Sequence, residues 1–459
     1  MVFGIADSVI FGSAWAAPEL RALFDEEART RGWLSILAAL VETQAEFDLV
    51  PKDAARAVAA TCRNTKVDST FLAEVAAGRE RTGHSTAGLI DTIARRCPRE
   101  TGEWFYVGAT VQDVTDTWTM GALRAAHALI LSDLQAVDAS LRGLARKHRD
   151  TPMIGRTHGQ HGLPMTFGLK VAGWGAELGR HQQRLEAVRA RLGVVQLCGG
   201  VGSVSSLGPR GLGVQTRFAE RLGMRVPEIS WTASRDVFAE WCALLALVCG
   251  TADRIGKEVY NLARTEIREL SEGTSTATIS SITMPHKRNP EIAESLGTLA
   301  RAVRHHAGAM LEGMAHEHER DGRTWKGEWY DVPAATVLGG TAVGLLRQML
   351  DGLEVHPERM RHNLEATGGS AFSEAVMLTL AARAGKQTAH RLVSEAAGKA
   401  RSSGQSFREA VLGSEAIRKY LSEEELMAAF SVDRALGQCG AIVDAWLANS
   451  DVIEEESSR

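Results

Sequence analysis

Proline placement is the strongest constraint on what this chain can fold into. In the middle of the sequence, prolines stand at 98, 152, 164, 209, 227, 285, 290, 333 and 357. Between them lie the proline-free windows 99–151, 165–208, 228–284 and 291–332, with a shorter one at 334–356. An interior proline removes a helical hydrogen bond and clashes with the preceding turn, at roughly 3 kcal/mol, so each window predicts a helix bounded by its prolines. In the first window Leu123, Ala126, Ile130, Leu134, Val137, Leu141 and Leu144 recur at spacings of three and four, one continuous apolar face. A helix of about 40 residues is about 60 Å long. Helices of that length point to a bundle shared between subunits. No period-two pattern of weight and no internal repeat is found. The expected fold is all-α.

Three helical domains are expected: 1–105 as an N-terminal piece, 106–350 as a central five-helix bundle, and 351–459 as a small C-terminal piece. In the first, residues 20–49 read as one helix with Leu34, Leu37, Leu40 and Val41 on its apolar stripe, ended by Pro51. Gly199, Gly200, Gly202, Gly208, Gly211 and Gly213 mark a connection; a phosphate cradle is disfavoured because they follow a helical pattern, not a strand. Beyond Pro357, small helices are punctuated by Gly385, Gly398, Gly404 and Gly413, and Ser422 with Glu425 makes a capping box. Residues 451–459 read as a polar, frayed tail.

An apolar content of 44% supports a large core, and a net charge of -4 without a basic stripe argues against nucleic acid as a partner. The six cysteines never fall into a C-x-x-C pair, which disfavours a zinc site or a disulfide framework and fits a reduced, cytoplasmic compartment. No signal-peptide pattern and no uncharged apolar run of membrane-spanning length is found.

Chemistry concentrates in residues 280–290, Ser-Ser-Ile-Thr-Met-Pro-His-Lys-Arg-Asn-Pro. Pro285 and Pro290 make it a loop that hands over to a helix. Ser281 is a candidate nucleophile or base, Lys287 a fixed cation, and Asn289 a donor and acceptor. A cation and donors at a helix start favour an anionic ligand; a plain polar surface loop is the other reading. The segment resembles the signature loop of the fumarase/aspartase superfamily, Gly-Ser-Ser-x-Met-Pro-x-Lys-x-Asn. Met284, Pro285, Lys287 and Asn289 match, and counting back six from Lys287 puts Ser281 on the family's catalytic base. Ser280 and Ile282 depart from the family's glycine and second serine, and residues 274–279 lack its usual glycines.

The resemblance extends over most of the chain. Gly155-Arg156-Thr157-His158-Gly159-Gln160 is similar to the Gly-Arg-Thr-His segment of fumarases and adenylosuccinate lyases; it implies a proton-transfer part for His158 and a substrate contact for Gln160. Histidine suits that task because its ordinary pKa lies near neutral. At the head of the first long helix Thr110 and Asp113 match the family's Thr-Ser-x-Asp, which implies that Thr110 and Gln112 meet a substrate carboxylate, while Val111 replaces a serine donor. Arg235 matches a further substrate-side position; a buried ion pair is its structural alternative. Glu294 matches a glutamate that orients the catalytic histidine. His84 matches a catalytic histidine of adenylosuccinate lyases, although Gly83 and Ser85 differ from that motif.

By texture, including Glu317-His318-Glu319-Arg320, Trp325, Glu328 and Trp329, the chain looks most like bacterial 3-carboxy-cis,cis-muconate cycloisomerases. Its His158 and Glu294 are fumarase-type. The resemblance implies a lyase that eliminates a C–N or C–O group from a small substituted succinate and releases fumarate, with Ser281, His158, Glu294 and His84 catalytic. It implies that Thr110, Gln112, Gln160, Arg235, Lys287 and Asn289 bind substrate. No metal or organic cofactor is expected. Carboxymuconate lactonisation, adenylosuccinate-lyase-like activity and a non-catalytic helical scaffold are the alternatives. A homotetramer with sites shared between subunits is the implied assembly.

Overall fold

The computed structural model describes residues 4–273 and 281–457. Among them the chain is helical apart from two short antiparallel strand pairs, as the fold class expected. Residues 274–280, with the Ser280 departure and the glycine-poor approach run, lie outside the described residues.

The chain divides into two compact units, Met1–Asp133 with His181–Ala252 and Thr298–Gly344, and Leu134–Arg180 with Asp253–Gly297 and Leu345–Arg459. The first unit holds α1 (Glu26–Glu46), α2 (Ser69–Thr82) and α3 (Ala87–Arg96). Five longer helices contribute residues to both units: α4 (Val111–Lys147), α5 (Phe167–Arg189), α6 (Asp236–Leu262), α7 (Glu291–Glu312) and α8 (Gly322–Asp351). The second unit adds the hairpin β1 (Pro152–Thr157) and β2 (Gln160–Thr166), and the pair β3 (Leu270–Ser271) and β4 (Glu354–Val355).

Burial on α4 follows the spacing read from sequence. Leu123, Ala126, Ile130, Leu134, Val137 and Leu141 are all buried, and the stripe then drifts to Ala145, leaving Leu144 half-buried. That drift is what a 3.6-residue turn does to spacings of three and four over ten turns. Fully burying a leucine stabilises by about 1.5–3 kcal/mol, so this stripe alone accounts for much of the helix. The first unit has a core in which α1 contributes Leu34, Leu37, Leu40 and Val41, packed with Phe71, Ile93, Val214 and Phe218. A second core lies among Leu364, Val376, Leu380, Leu392, Val411 and Leu426.

Four sequence expectations change. The helix over 20–49 is two helices, Pro18–Ala22 and α1, because Asp25 caps α1 by accepting the Ala28 N–H at 2.7 Å. Pro333 does not end a helix but lies inside α8. The flanking Val332 and Ala335 are fully buried, and that packing offsets the lost bond to the Trp329 carbonyl. The C-terminal helix Cys439–Ser457 runs on where a frayed tail was expected. The hairpin was not foreseen, because Gly155 sits at a register shift and Pro164 stands within β2, which breaks the alternation. The capping box of Ser422 and Glu425 is formed as read. All six cysteines are buried thiols, and no described helix is long and apolar enough to cross a membrane.

Candidate functional site

In the second unit, the loop after residue 280 turns tightly on itself. The Met284 N–H donates to Ser281 Oγ at 3.1 Å, and the Lys287 N–H donates to the Met284 carbonyl at 2.9 Å. An N–H aimed at a serine oxygen favours the alkoxide over the neutral hydroxyl. Lys287, Asn289 and Glu294 line one cavity of 840 Å³, together with Arg264, Arg268 and His356. Lys287 and Glu294 are exposed, and Ser281 and Asn289 half-buried. Asn289 Nδ2 donates to Glu291 at 3.2 Å. Ile282, which replaces a family serine, is 94% exposed, so this departure removes no packing from within the chain.

The loop is anchored by residues that sequence reading missed. Arg288 holds both carboxylate oxygens of Glu354 at 3.0 and 2.9 Å and the Glu272 carbonyl at 2.9 Å. The Glu354 carboxylate is thereby held below its ordinary range and Arg288 above its own, each chiefly by this pairing. Ser271 Oγ lies 2.7 Å from His356 Nε2 and donates to Glu354 at 3.2 Å. The helix start after Pro290 does bind an anion, but an internal one. Glu272 accepts the Ile292 and Ala293 N–H groups at 3.1 and 2.7 Å. Burial pushes its carboxyl upward against those donors. The local signal was an acidic residue separated from its helix by the whole loop, which no short motif reports.

The β1–β2 hairpin presents His158. Thr157 pairs with Gln160, leaving His158 and Gly159 as a two-residue turn with φ of 55° and 72°. His158 and Gln160 are exposed at this tip. Arg156 anchors the hairpin through a bidentate pair with Glu269, at 2.9 and 2.7 Å, and Glu269 is fully buried. Asn363 donates to the same carboxylate at 2.8 Å. Within one chain, no hydrogen bond joins His158 to Glu294 among the described residues.

In the first unit, Thr110 precedes α4, and its N–H donates to Asp113 at 3.0 Å. Asp113 also accepts the Cys198 and Gly199 N–H groups, at 2.9 and 3.3 Å, which fixes the glycine-rich connection against the helix start. Burial pushes the Asp113 carboxyl up to about 6 despite those donors. Gln112 is fully buried; its amide donates to the Thr232 carbonyl at 2.7 Å and accepts from Arg320 Nε at 2.6 Å. Arg320 Nη2 is buried and has no partner. Gln112 therefore holds Arg320 in place, and its own amide oxygen and nitrogen are both engaged within the chain. In the sequence Arg320 stands out only as the end of the Glu317-His318-Glu319-Arg320 run.

Arg235 requires a correction. It is 2% exposed, and its donors are taken by Glu328 at 2.8 and 2.5 Å and by Asp116 at 2.8 Å. Burial opposes its charge, but the two carboxylates outweigh burial and hold the guanidinium charged. It is the buried ion pair of the alternative reading, with partners other than Asp236, and each of its three nitrogens already donates within the chain. His84 is exposed in the loop between α2 and α3, where its Nδ1 accepts the Thr86 N–H at 3.3 Å.

Comparison with known proteins decides the family. A lyase family matches residues 13–305, and the adenylosuccinate lyase C-terminus family matches residues 369–446. The chain belongs to the fumarase/aspartase superfamily. Among its relatives, the N-acetyl-S-(2-succino)cysteine lyase of Enterococcus italicus is 39% identical over 86% of each chain. The 3-carboxy-cis,cis-muconate cycloisomerase of Pseudomonas aeruginosa is 36% identical over 96% of each. The crystal structure of a fumarate lyase from Mesorhizobium superposes with a TM-score of 0.87 at 34% identity, covering 95% of this chain and 98% of that one. This member of the superfamily is thus similar to both lyases and cycloisomerases.

Proposed function

We propose that the chain is a lyase that cleaves a substituted succinate by β-elimination and releases fumarate. The observation that carries this reading is the loop turn, in which a backbone N–H supports Ser281 Oγ while Lys287 and Asn289 line the adjoining cavity. A proton beside a carboxylate is weakly acidic, and its removal leaves a dianionic, aci-carboxylate-like state that fixed cations and donors must stabilise. Ser281 takes the proton, the carbon–leaving-group bond breaks, and the electron pair leaves with that group. His158 or His84 returns a proton to it. Lys287 and Asn289 hold one carboxylate, and Thr110 and Arg320 are contributed by a neighbouring subunit.

The expected leaving atoms were nitrogen or oxygen. The name of the Enterococcus relative, a succinyl thioether lyase, adds sulfur, and succinyl thioethers are the first substrates to test. A site completed by neighbouring subunits is part of this reading, and it is supported by His158, which stands exposed on a hairpin tip outside the cavity that Lys287 lines. The test is a panel of succinyl thioethers, amines and ethers, followed by NMR for fumarate, beside carboxymuconate followed for lactone. Fumarate from at least one succinyl compound, with Lys287→Met raising KM, is the expected result. Lactonisation without fumarate would instead assign the cycloisomerase reading that the Pseudomonas relative represents.

A further inference from the structure

A second cavity, of 660 Å³, lies wholly within the first unit, bounded by α1, α2, α3, α4 and α8. Its walls are mainly apolar, with Trp33, Leu72, Leu89, Trp118 and Trp329 among them. Its volume is that of a small-molecule pocket, about 300–1,000 Å³. Two polar atoms in the wall are buried without a partner, the Trp33 indole N–H and the Thr115 hydroxyl, and Thr115 is only 3% exposed. Buried donors are ordinarily satisfied, so a pair of orphans in one cavity wall marks a place for a ligand acceptor.

The charges at the cavity narrow the ligand. Arg29 is paired with Glu26 at 2.5 Å and lies over the Trp33 ring, and Glu328 is paired with Arg235. Arg79 lines the same cavity and has no ion pair among the described residues. Asp116 and Glu328 share the single cation Arg235, so Arg79 is a lining cation that no carboxylate holds among the described residues, beside apolar walls and two hydrogen-bond donors.

We infer that this cavity binds an apolar monoanion, an aromatic or branched body that carries one carboxylate. The body packs between Trp33 and Trp118, an acceptor oxygen takes the Trp33 N–H and the Thr115 O–H, and the carboxylate faces Arg79. Two sources share this chemistry, the departing half of a succinyl substrate and a separate effector. Ser85, next to His84, lines the cavity, and Thr115 is on the same helix that Thr110 heads. Only the first source rests on the proposed lyase reading.

The test uses 3-phenylpropanoate and its neutral amide as probes, with titration calorimetry on the full chain. The acid is expected to bind at least tenfold more tightly than the amide. Arg79→Gln removes that difference, Thr115→Val weakens both probes, and Ala76→Trp, which fills the cavity from α2, abolishes binding of both. Circular dichroism melts confirm that each variant is folded. Equal binding of acid and amide, no binding of either, or binding that survives a folded Ala76→Trp overturns the inference. In the fumarate assay, a probe that raises KM alone assigns the cavity to the departing half; one that changes kcat at constant KM assigns it to an effector. If no succinyl compound yields fumarate, the lyase reading fails while the binding titrations still decide the cavity.

Discussion

Replacing Arg235 by methionine separates its structural role from the substrate contact that the resemblance implied. The change removes three charge-assisted hydrogen bonds and leaves Asp116 and Glu328, with side chains 4% and 5% exposed, without their cation. Removing one partner of a buried ion pair costs about 3–5 kcal/mol, because the remaining charge has neither water nor a counterion. At roughly 2.1 cal/mol/K per residue, 459 residues unfold with an entropy of about 1 kcal/mol/K, so Tm should fall by about 3–5 °C. Differential scanning calorimetry at fixed scan rate measures this, with inactivation half-life as the check if unfolding is irreversible. Adding Asp116→Asn and Glu328→Gln to Arg235→Met should recover most of the loss, since no buried charge then remains. An unchanged Tm with a hundredfold lower kcat/KM would refute the argument and return Arg235 to the substrate.

Ser281→Ala should lower turnover at least about 100-fold while stability moves by less than about 1 kcal/mol, since one half-buried hydroxyl is lost from a loop; retention of more than a few per cent of activity would remove Ser281 as the base. Asp113 has a folded pKa of about 6 against 3.8 ordinarily, so its contribution is full below the unfolded pKa and is lost as pH rises through about 6. At about 1.4 kcal/mol per pH unit, wild type should lose up to about 3 kcal/mol relative to Asp113→Asn between about pH 4 and 7, and parallel stability curves would contradict this. Mixing His158→Ala with Ser281→Ala subunits and reassembling them should restore up to about one quarter of wild-type activity, because a site that takes the two residues from different chains finds each intact with probability about one half. No recovery in verified mixed oligomers would show that one chain supplies both.

The parts of this molecule legible in the sequence are those whose causes are local. Proline spacing and the apolar stripe through Leu123 and Leu141 placed α4, and the capping box at Ser422 needs only three residues. The loop's turn was legible for the same reason, since Ser281, Met284 and Lys287 make it within seven positions. Where proline misled, tertiary packing had overruled a local rule: buried neighbours carry α8 through Pro333, and β1 carries Pro164 into a hairpin. Partner choice was illegible where it spans the chain. Arg235 meets residues 119 and 93 positions away, and Asp113 meets Cys198 at a separation of 85.

The same distinction bears on how the candidate site selects its ligand. A helix start beside a lysine reads as an anion site, and the sequence supports assigning it to substrate. In the fold, Glu272 already occupies the first N–H groups of α7, so that helix supplies little positive potential to a second carboxylate. Recognition of an anion in the 840 Å³ cavity then falls to side-chain cations, Lys287 with Arg264 and Arg268. Side-chain cations on an exposed surface are screened by salt far more than buried helix donors are. Substrate KM should therefore rise steeply with ionic strength while kcat, which the proposed Ser281 base would govern, stays nearly constant. A KM indifferent to salt between low and physiological strength would mean that buried donors carry the carboxylate instead.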